Sequence, residues 1–211
     1  MVRNLLVAWA FVAFSGTAGA GAYEEMLAAA ERGETAQVLD FIQRGMDVNT
    51  ADPGGNTLLM IAARNGNLDL LQALLVNRPG LNRRNRHGDT AMLLAAVKGN
   101  LEVVKRMHAA GASLEPGGWS ALHYSVFGGN PDLVSWILEQ KPQLDLRAPN
   151  GQTALMLAAG IENPEILRLL IEADADLDLK DYQGRSALDL ARRAKQSANA
   201  ELLLKSGAVE E

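Results

Sequence analysis

Three histidines, scattered serines, paired glycines and an alternating acidic run are what chemistry could recruit in this chain. Cysteine is absent, which removes thiolate nucleophiles, thiolate metal sites and disulfides together. His87 sits in a polar, turn-rich connector, where it is expected to be solvated. His108 closes the apolar stretch Val103-Val104-Lys105-Arg106-Met107-His108, and His123 follows a helix-opening Ser120. No carboxylate stands at metal-ligand spacing from any of them. Ser120 and Ser186 open helices and lack the G-x-S-x-G elbow of a nucleophilic serine. Gly54-Gly55 and Gly128-Gly129 lack the lysine and preceding strand of a phosphate loop. Asp174, Asp176 and Asp178 alternate, but Leu179-Lys180 interrupts a calcium-loop pattern, and solvated charge is the expected role. These residue types point away from an enzyme, with no cofactor and no metal. What remains are residues that bind. Trp119, Tyr124 and Phe127 fall close together, and Arg83-Arg84-Asn85-Arg86-His87 lies shortly before them. Trp, Tyr and Arg dominate binding hot spots because they join large desolvated area to directional polar contacts.

The elements that must position these side chains repeat. A unit opening at Gly151 (GQTALMLAAGIENPEILRLLIEADA) recurs at Gly55, Gly88, Gly118 and Gly184, spaced by 33 residues except for 30 between Gly88 and Gly118. A further step of 33 back from Gly55 reaches Ala22, where AYEEMLAAAERGETAQVLDFI aligns without a gap. Six copies at one period define a repeat solenoid. Each first helix opens on a hydroxyl (Thr57, Thr90, Ser120, Thr153, Ser186) that can cap free N–H groups. Paired alanines (Ala62-Ala63, Ala95-Ala96, Ala158-Ala159) allow neighbouring helices to approach closely. Gly33, Gly66, Gly99 and Gly129 close the first helices in the left-handed conformation. The second helices end on Gly45, Gly111 and Gly207, or with Pro79 and Pro142 just beyond. The connectors between units start with an apolar residue and end in Gly, as short hairpins would. The one between Ala112 and Gly118 is three residues shorter, leaving a notch before Trp119. The last unit carries Lys195, Gln196, Asn199 and Glu201 in its second helix, a polar outer face suited to an end cap.

These residues resemble the ankyrin repeat, whose consensus begins G-x-T-P-L-H-x-A. The matching strings run Gly55–Ala62, Gly88–Ala95, Gly118–Ser125, Gly151–Ala158 and Gly184–Ala191, and the resemblance spans residues 22 to about 208. The Pro is missing throughout, His is kept only at His123, and Glu162 stands where a helix-ending Gly belongs. The resemblance implies an all-α repeat solenoid of about six repeats, two of them caps, with hairpin or loop fingers. It also implies a concave surface of finger tips and first-helix faces that binds another protein. The positions left free by the consensus are Arg84, Arg86, His87, Arg147, Lys180 and Tyr182 on the fingers, and Asn56, Asp89, Trp119, Gln152 and Arg185 after each Gly. On the first helices they are Ile61, Arg64, Leu94, Lys98, Tyr124 and Phe127. The expected partner contacts are Arg84, Arg86, His87, Asp89, Trp119, Tyr124, Phe127, Arg147, Gln152 and Tyr182. Trp136, in a second helix, is assigned to packing or the convex face.

Residues 1–20 read as a cleaved secretory signal: Arg3, then the apolar run Leu5–Phe14, then small residues that place cleavage after 20 or 22. The apolar run is about half the length of a membrane span, so no stable insertion is expected. Residues 21–211 form the repeat domain. The net charge of −5 disfavours nucleic acid, which needs clustered cations. The expected protein is a periplasmic or secreted monomer that holds another exported protein. Three roles fit: an immunity-type inhibitor of a periplasm-acting toxin, a helper for a stress enzyme such as a catalase, or a host-directed effector.

Overall fold

A computed structural model describes residues 16–209. The expected signal segment lies outside the described residues, except that 16–20 enter the first helix. Among the described residues twelve helices follow in six consecutive pairs. These are α1 (Gly16–Arg32) with α2 (Thr35–Gln43), α3 (Leu58–Asn65) with α4 (Leu68–Val76), and α5 (Ala91–Val97) with α6 (Leu101–Ala109). The remaining pairs are α7 (Ala121–Phe127) with α8 (Pro131–Glu139), α9 (Ala154–Gly160) with α10 (Pro164–Glu172), and α11 (Ala187–Arg193) with α12 (Ser197–Lys205). Each pair packs on the next, and the architecture is the all-α solenoid that the period implies.

Helices of seven to nine residues are marginal alone, so packing must hold them. The caps work as their sequence suggests. Thr57, Thr90, Ser120, Thr153 and Ser186 each accept from the backbone N–H three residues on. The paired alanines of α3, α5 and α9 are fully buried where neighbouring first helices meet. First helices pack on one another more closely than second helices do, so the stack curves with the first helices on its inner side. Left-handed backbone closes the second helices throughout. Where Gly45, Gly111 and Gly207 serve in three units, Arg78, Lys141 and Asp174 take positive φ in the others.

Three features depart from the sequence reading. The fingers are not paired strands: among the described residues there is one isolated bridge, between Ala51 and Thr57. Four of the five fingers instead close a turn in which residue 52, 85, 148 or 181 donates its N–H to the carbonyl four residues on, at 2.8–2.9 Å. Only one backbone pair fits before the chain turns at Gly, too few for a ladder. At Glu162 no left-handed turn forms, and α9 ends on an extended Ile161. Asn199, placed by sequence on the polar outer face, is buried. Its amide donates to the carbonyls of Ala158, Ala159 and Ile161. Asn100 and Asn130, the residues before α6 and α8, reach back to the preceding repeat in the same way. In the last unit Gln196 occupies that place, and Asn199, nearly a turn later, takes over the bond.

A second set of bonds joins every pair of neighbouring units after the first finger. Side-chain oxygens of Asn49, Asn82, Glu115, Asp145 and Asp178 accept from the backbone N–H of Gly80, Ser113, Gln143, Asp176 and Val209, at 2.7–3.0 Å. Asp178 is therefore a tether as well as a solvated charge, while Asp176 supplies only its backbone N–H to Asp145. The shortened connector keeps its tether at Glu115, and the missing residues come after it. We expect Asn82→Ala and Asp145→Ala each to lower unfolding free energy by about 1 kcal/mol. Because they lie two junctions apart, the losses should add. Urea denaturation of the single and double variants checks this, and no loss in either would remove the ladder as a source of stability.

Candidate protein-binding site

The fourth unit gathers three aromatic rings, Trp119, Tyr124 and Phe127, within nine residues. Trp119 precedes α7, half-buried, with its ring edge-on to His123 at 5.5 Å and to Tyr124 at 6.2 Å. Its indole N–H has no acceptor among the described residues. Tyr124 donates its hydroxyl to Asp89, one unit back. Burial and the Asp89 carboxylate push that phenol well above its usual range, while the charge of Arg84 acts weakly the other way. Tyr124 is thus a fixed neutral donor. Phe127, at the end of α7, is 70% exposed. The three rings and Val97 of α5 line one open depression of about 230 Å³.

Local backbone explains why the depression exists. Val97 and Phe127 hold the same position in successive units, thirty residues apart. Gly128 brings the end of α7 against α5, since a Cβ there would stand 2.5 Å from the Val97 carbonyl oxygen. On the far side the matching residue is Gly160, where a Cβ would meet nothing within 4 Å. Phe127 therefore has a neighbour on one flank and open space on the other. Val97 was missed from sequence because it reads as one more apolar residue of a core helix. Aligning the units by their shortened period would have paired it with Phe127.

The other expected contacts are spread along the fingers, and several are occupied. Arg84 donates to the carbonyls of Gly88, Pro116 and Gly117, bridging the notch left by the short connector. Arg147 does the same one finger on, reaching Gly151 at 3.1 Å and Lys180 at 2.5 Å. Both guanidinium groups staple neighbouring fingers. Gln152 accepts from Asn150 through its side chain and from the His123 ring through its carbonyl. Asp89 is engaged by Tyr124. Arg86 and His87 are exposed, with only their backbone N–H groups tied to Gly54 and Asn85. Tyr182 is 72% exposed on a later finger, close over Gly151. Of the free positions outside this set, Ile61 is core at 1% exposure. Arg185 grips the buried carboxylate of Asp181 at 2.5 Å, and Arg64 pairs with Glu31 at 2.5 Å.

His123 supports the site from below. It is 1% exposed and completes a capping box with Ser120. Its Nδ1 faces the Ser120 hydroxyl at 2.7 Å, and its Nε2 faces the Gln152 carbonyl at 3.2 Å. A neutral ring protonated on Nε2 satisfies both bonds. His108 lies edge-on to Trp136 at 5.6 Å, between second helices, and both serve packing there. Among the described residues no group of His, Asp and Glu could hold a metal ion, and no helix is long and apolar enough to cross a membrane.

Such a stack, with a rim that varies from unit to unit, defines a repeat binding module. The chain belongs to the ankyrin-repeat family: its model, ankyrin repeats in three copies, matches residues 26–116, 59–147 and 122–210. No curated protein matches the sequence. Among solved structures the chain is similar to one in the predatory endopeptidase Bd0816 from Bdellovibrio bacteriovorus in complex with immunity protein Bd3460. The TM-score is 0.77 and the identity 32%, over 85% of this chain and 96% of that one. The chain is a protein-binding module, and its partner is another protein.

Burial holds the His123 pKa below its ordinary 6.5. The unfolded chain then binds the proton more readily, so the stability contributed by neutral His123 is present above about pH 6.5 and lost as pH falls below it. We expect His123→Gln to flatten the fall in melting temperature between about pH 7 and pH 5 relative to the parent. Parallel slopes for the two proteins would show that His123 does not carry this dependence.

Proposed function

We propose that this chain is an immunity-type inhibitor that acts in the periplasm on an exported peptidase. It binds through the inner face centred on Trp119 and covers the catalytic cleft of its target. The observation that carries this reading is the likeness to the immunity complex, which extends over 96% of the matched chain at 32% identity. A shared stack alone would select no partner, because 547 chains of solved structures match. The inner face supports the reading independently. Trp119, Tyr124 and Phe127 form a compact aromatic group; Tyr124 is set by its bond to Asp89 and Trp119 by edge-on ring contacts before any partner arrives. A rigid, aromatic, partly exposed patch is what a tight inhibitor presents to its target. The N-terminal sequence, read as a secretory signal, supports a site of action outside the cytoplasm.

Inhibition here is steric. The chain blocks access and does not react, so one equivalent should abolish one equivalent of activity. The test uses the protein expressed with its leader, recovered from the periplasm, and titrated against exported peptidases of the same cell. We expect a stoichiometric loss of activity against one of them. Trp119→Ala should raise the inhibition constant roughly thirty-fold, equivalent to about 2 kcal/mol, with little change in melting temperature. Failure to inhibit or bind any exported peptidase would end this reading. A drop in melting temperature on the same scale as the lost affinity would make Trp119 a core residue.

A further inference from the structure

We infer that the depression between α5 and α7 receives one large apolar side chain, carried on a partner segment with carboxylates beside it. The inference rests on the protein-binding role proposed above and specifies the chemistry of the partner. The lining is mostly apolar: Val97, Trp119, Tyr124 and Phe127. At about 230 Å³ it exceeds the ~150 Å³ that suffices to hold a benzene ring. Phe127 leaves most of its ring in water, and a side chain seated against it would recover that exposed area.

Charge at the edges selects what surrounds the anchor. Lys98, exposed, follows Val97 at one end. Arg86 and His87 are both exposed on the finger whose base residue Asp89 bonds Tyr124. The carboxylate nearest the rings is that of Asp89, and the Tyr124 hydroxyl engages it. Arg84 also places its charge near Tyr124. Lys98 and Arg84 thus set two cations by the rings against one engaged carboxylate, on a chain whose net charge is −5. Three rings around a hollow could in other settings hold an ammonium group. Here an incoming cation would meet Lys98 and Arg84, whereas carboxylates would be drawn to them.

The experiment follows the Trp119 indole N–H resonance of the full protein, assigned by its loss in Trp119→Phe. The ligands are two blocked pentapeptides, Glu-Glu-Phe-Glu-Glu and Lys-Lys-Phe-Lys-Lys, an acidic control with Ala for Phe, and tetramethylammonium. We expect the acidic Phe peptide to shift the resonance at roughly ten-fold lower concentration than the basic one. Raising salt from about 20 to about 500 mM should remove most of that advantage. The Ala control should fail, and Val97→Lys should abolish the response to Phe. Equal or better binding by the basic peptide or by tetramethylammonium overturns the inference, as does an indole that no peptide moves. Peptidase inhibition, measured separately, tells the two readings apart. An inhibitor whose depression ignores these peptides retains its function and loses this specificity; a discriminating depression on a chain that inhibits nothing does the reverse.

Discussion

No helix pair of this chain can bury its own apolar face, and every other property follows from the contact each pair makes with the next. The first helices are short and alanine-rich, so their backbones come close and the buried area per residue is small. Hydrophobic contact between such slender elements is non-directional and would tolerate sliding. Direction comes from two rows of polar bonds. One runs from Asn100, Asn130 and Asn199 to carbonyls at the ends of the preceding first helices. The other runs from Asn49, Asn82, Glu115, Asp145 and Asp178 to backbone N–H groups of the following unit. Each bond contributes little by itself. The second row recurs at each step along the stack and the first at three junctions, and together they fix the register at which one unit meets its neighbour.

That register shapes the proposed binding surface. Shortening one connector by three residues would, in a simple hairpin, expose the following helix and loosen the row of fingers. Arg84 prevents the loosening. Its guanidinium spans from its own finger to the carbonyls of Pro116 and Gly117, and Trp119 stands just beyond them. The same geometry recurs at Arg147, where the fingers are of ordinary length, so it is a general staple applied to an irregular gap. The tether at Glu115 uses a longer side chain than the Asn or Asp at its sister positions, at the one connector that is short. The deletion therefore changes what is exposed without changing how the units are joined.

Much of this could be read from the chain. The period, the hydroxyl caps and the left-handed glycines are local signals, each with one physical cause, and they fix the solenoid. The gathering of Trp119, Tyr124 and Phe127 was also legible, because residues at matching places in one unit share a face. Bonds between units were not. An Asp that tethers a backbone N–H 31 residues away leaves the same mark in sequence as one in water, so Asp178 reads as solvated. Arg84 and Arg147 looked like free rim charges for the same reason. Ile61 shares its position with Tyr124, yet it is buried at 1% exposure. A free place in the consensus leaves exposure undecided, and packing against the unit on either side decides it.

The coupling between stack and surface also bears on how such a face can bind tightly. A side chain that must be immobilised on association costs roughly 0.5–1.5 kcal/mol. Tyr124 has met that cost within the fold, through its bond to Asp89 on the neighbouring unit. Trp119 has done so in part, held edge-on by His123 and Tyr124. Phe127, 70% exposed, has met it least. Two of the three rings thus owe their readiness to contacts that cross or adjoin a junction between units. Loosening the third junction, between the Asp89 unit and the α7 unit, should then weaken binding even when no residue that touches the partner has changed. In a solenoid of this kind, affinity at the face and cohesion along the stack are set by the same bonds.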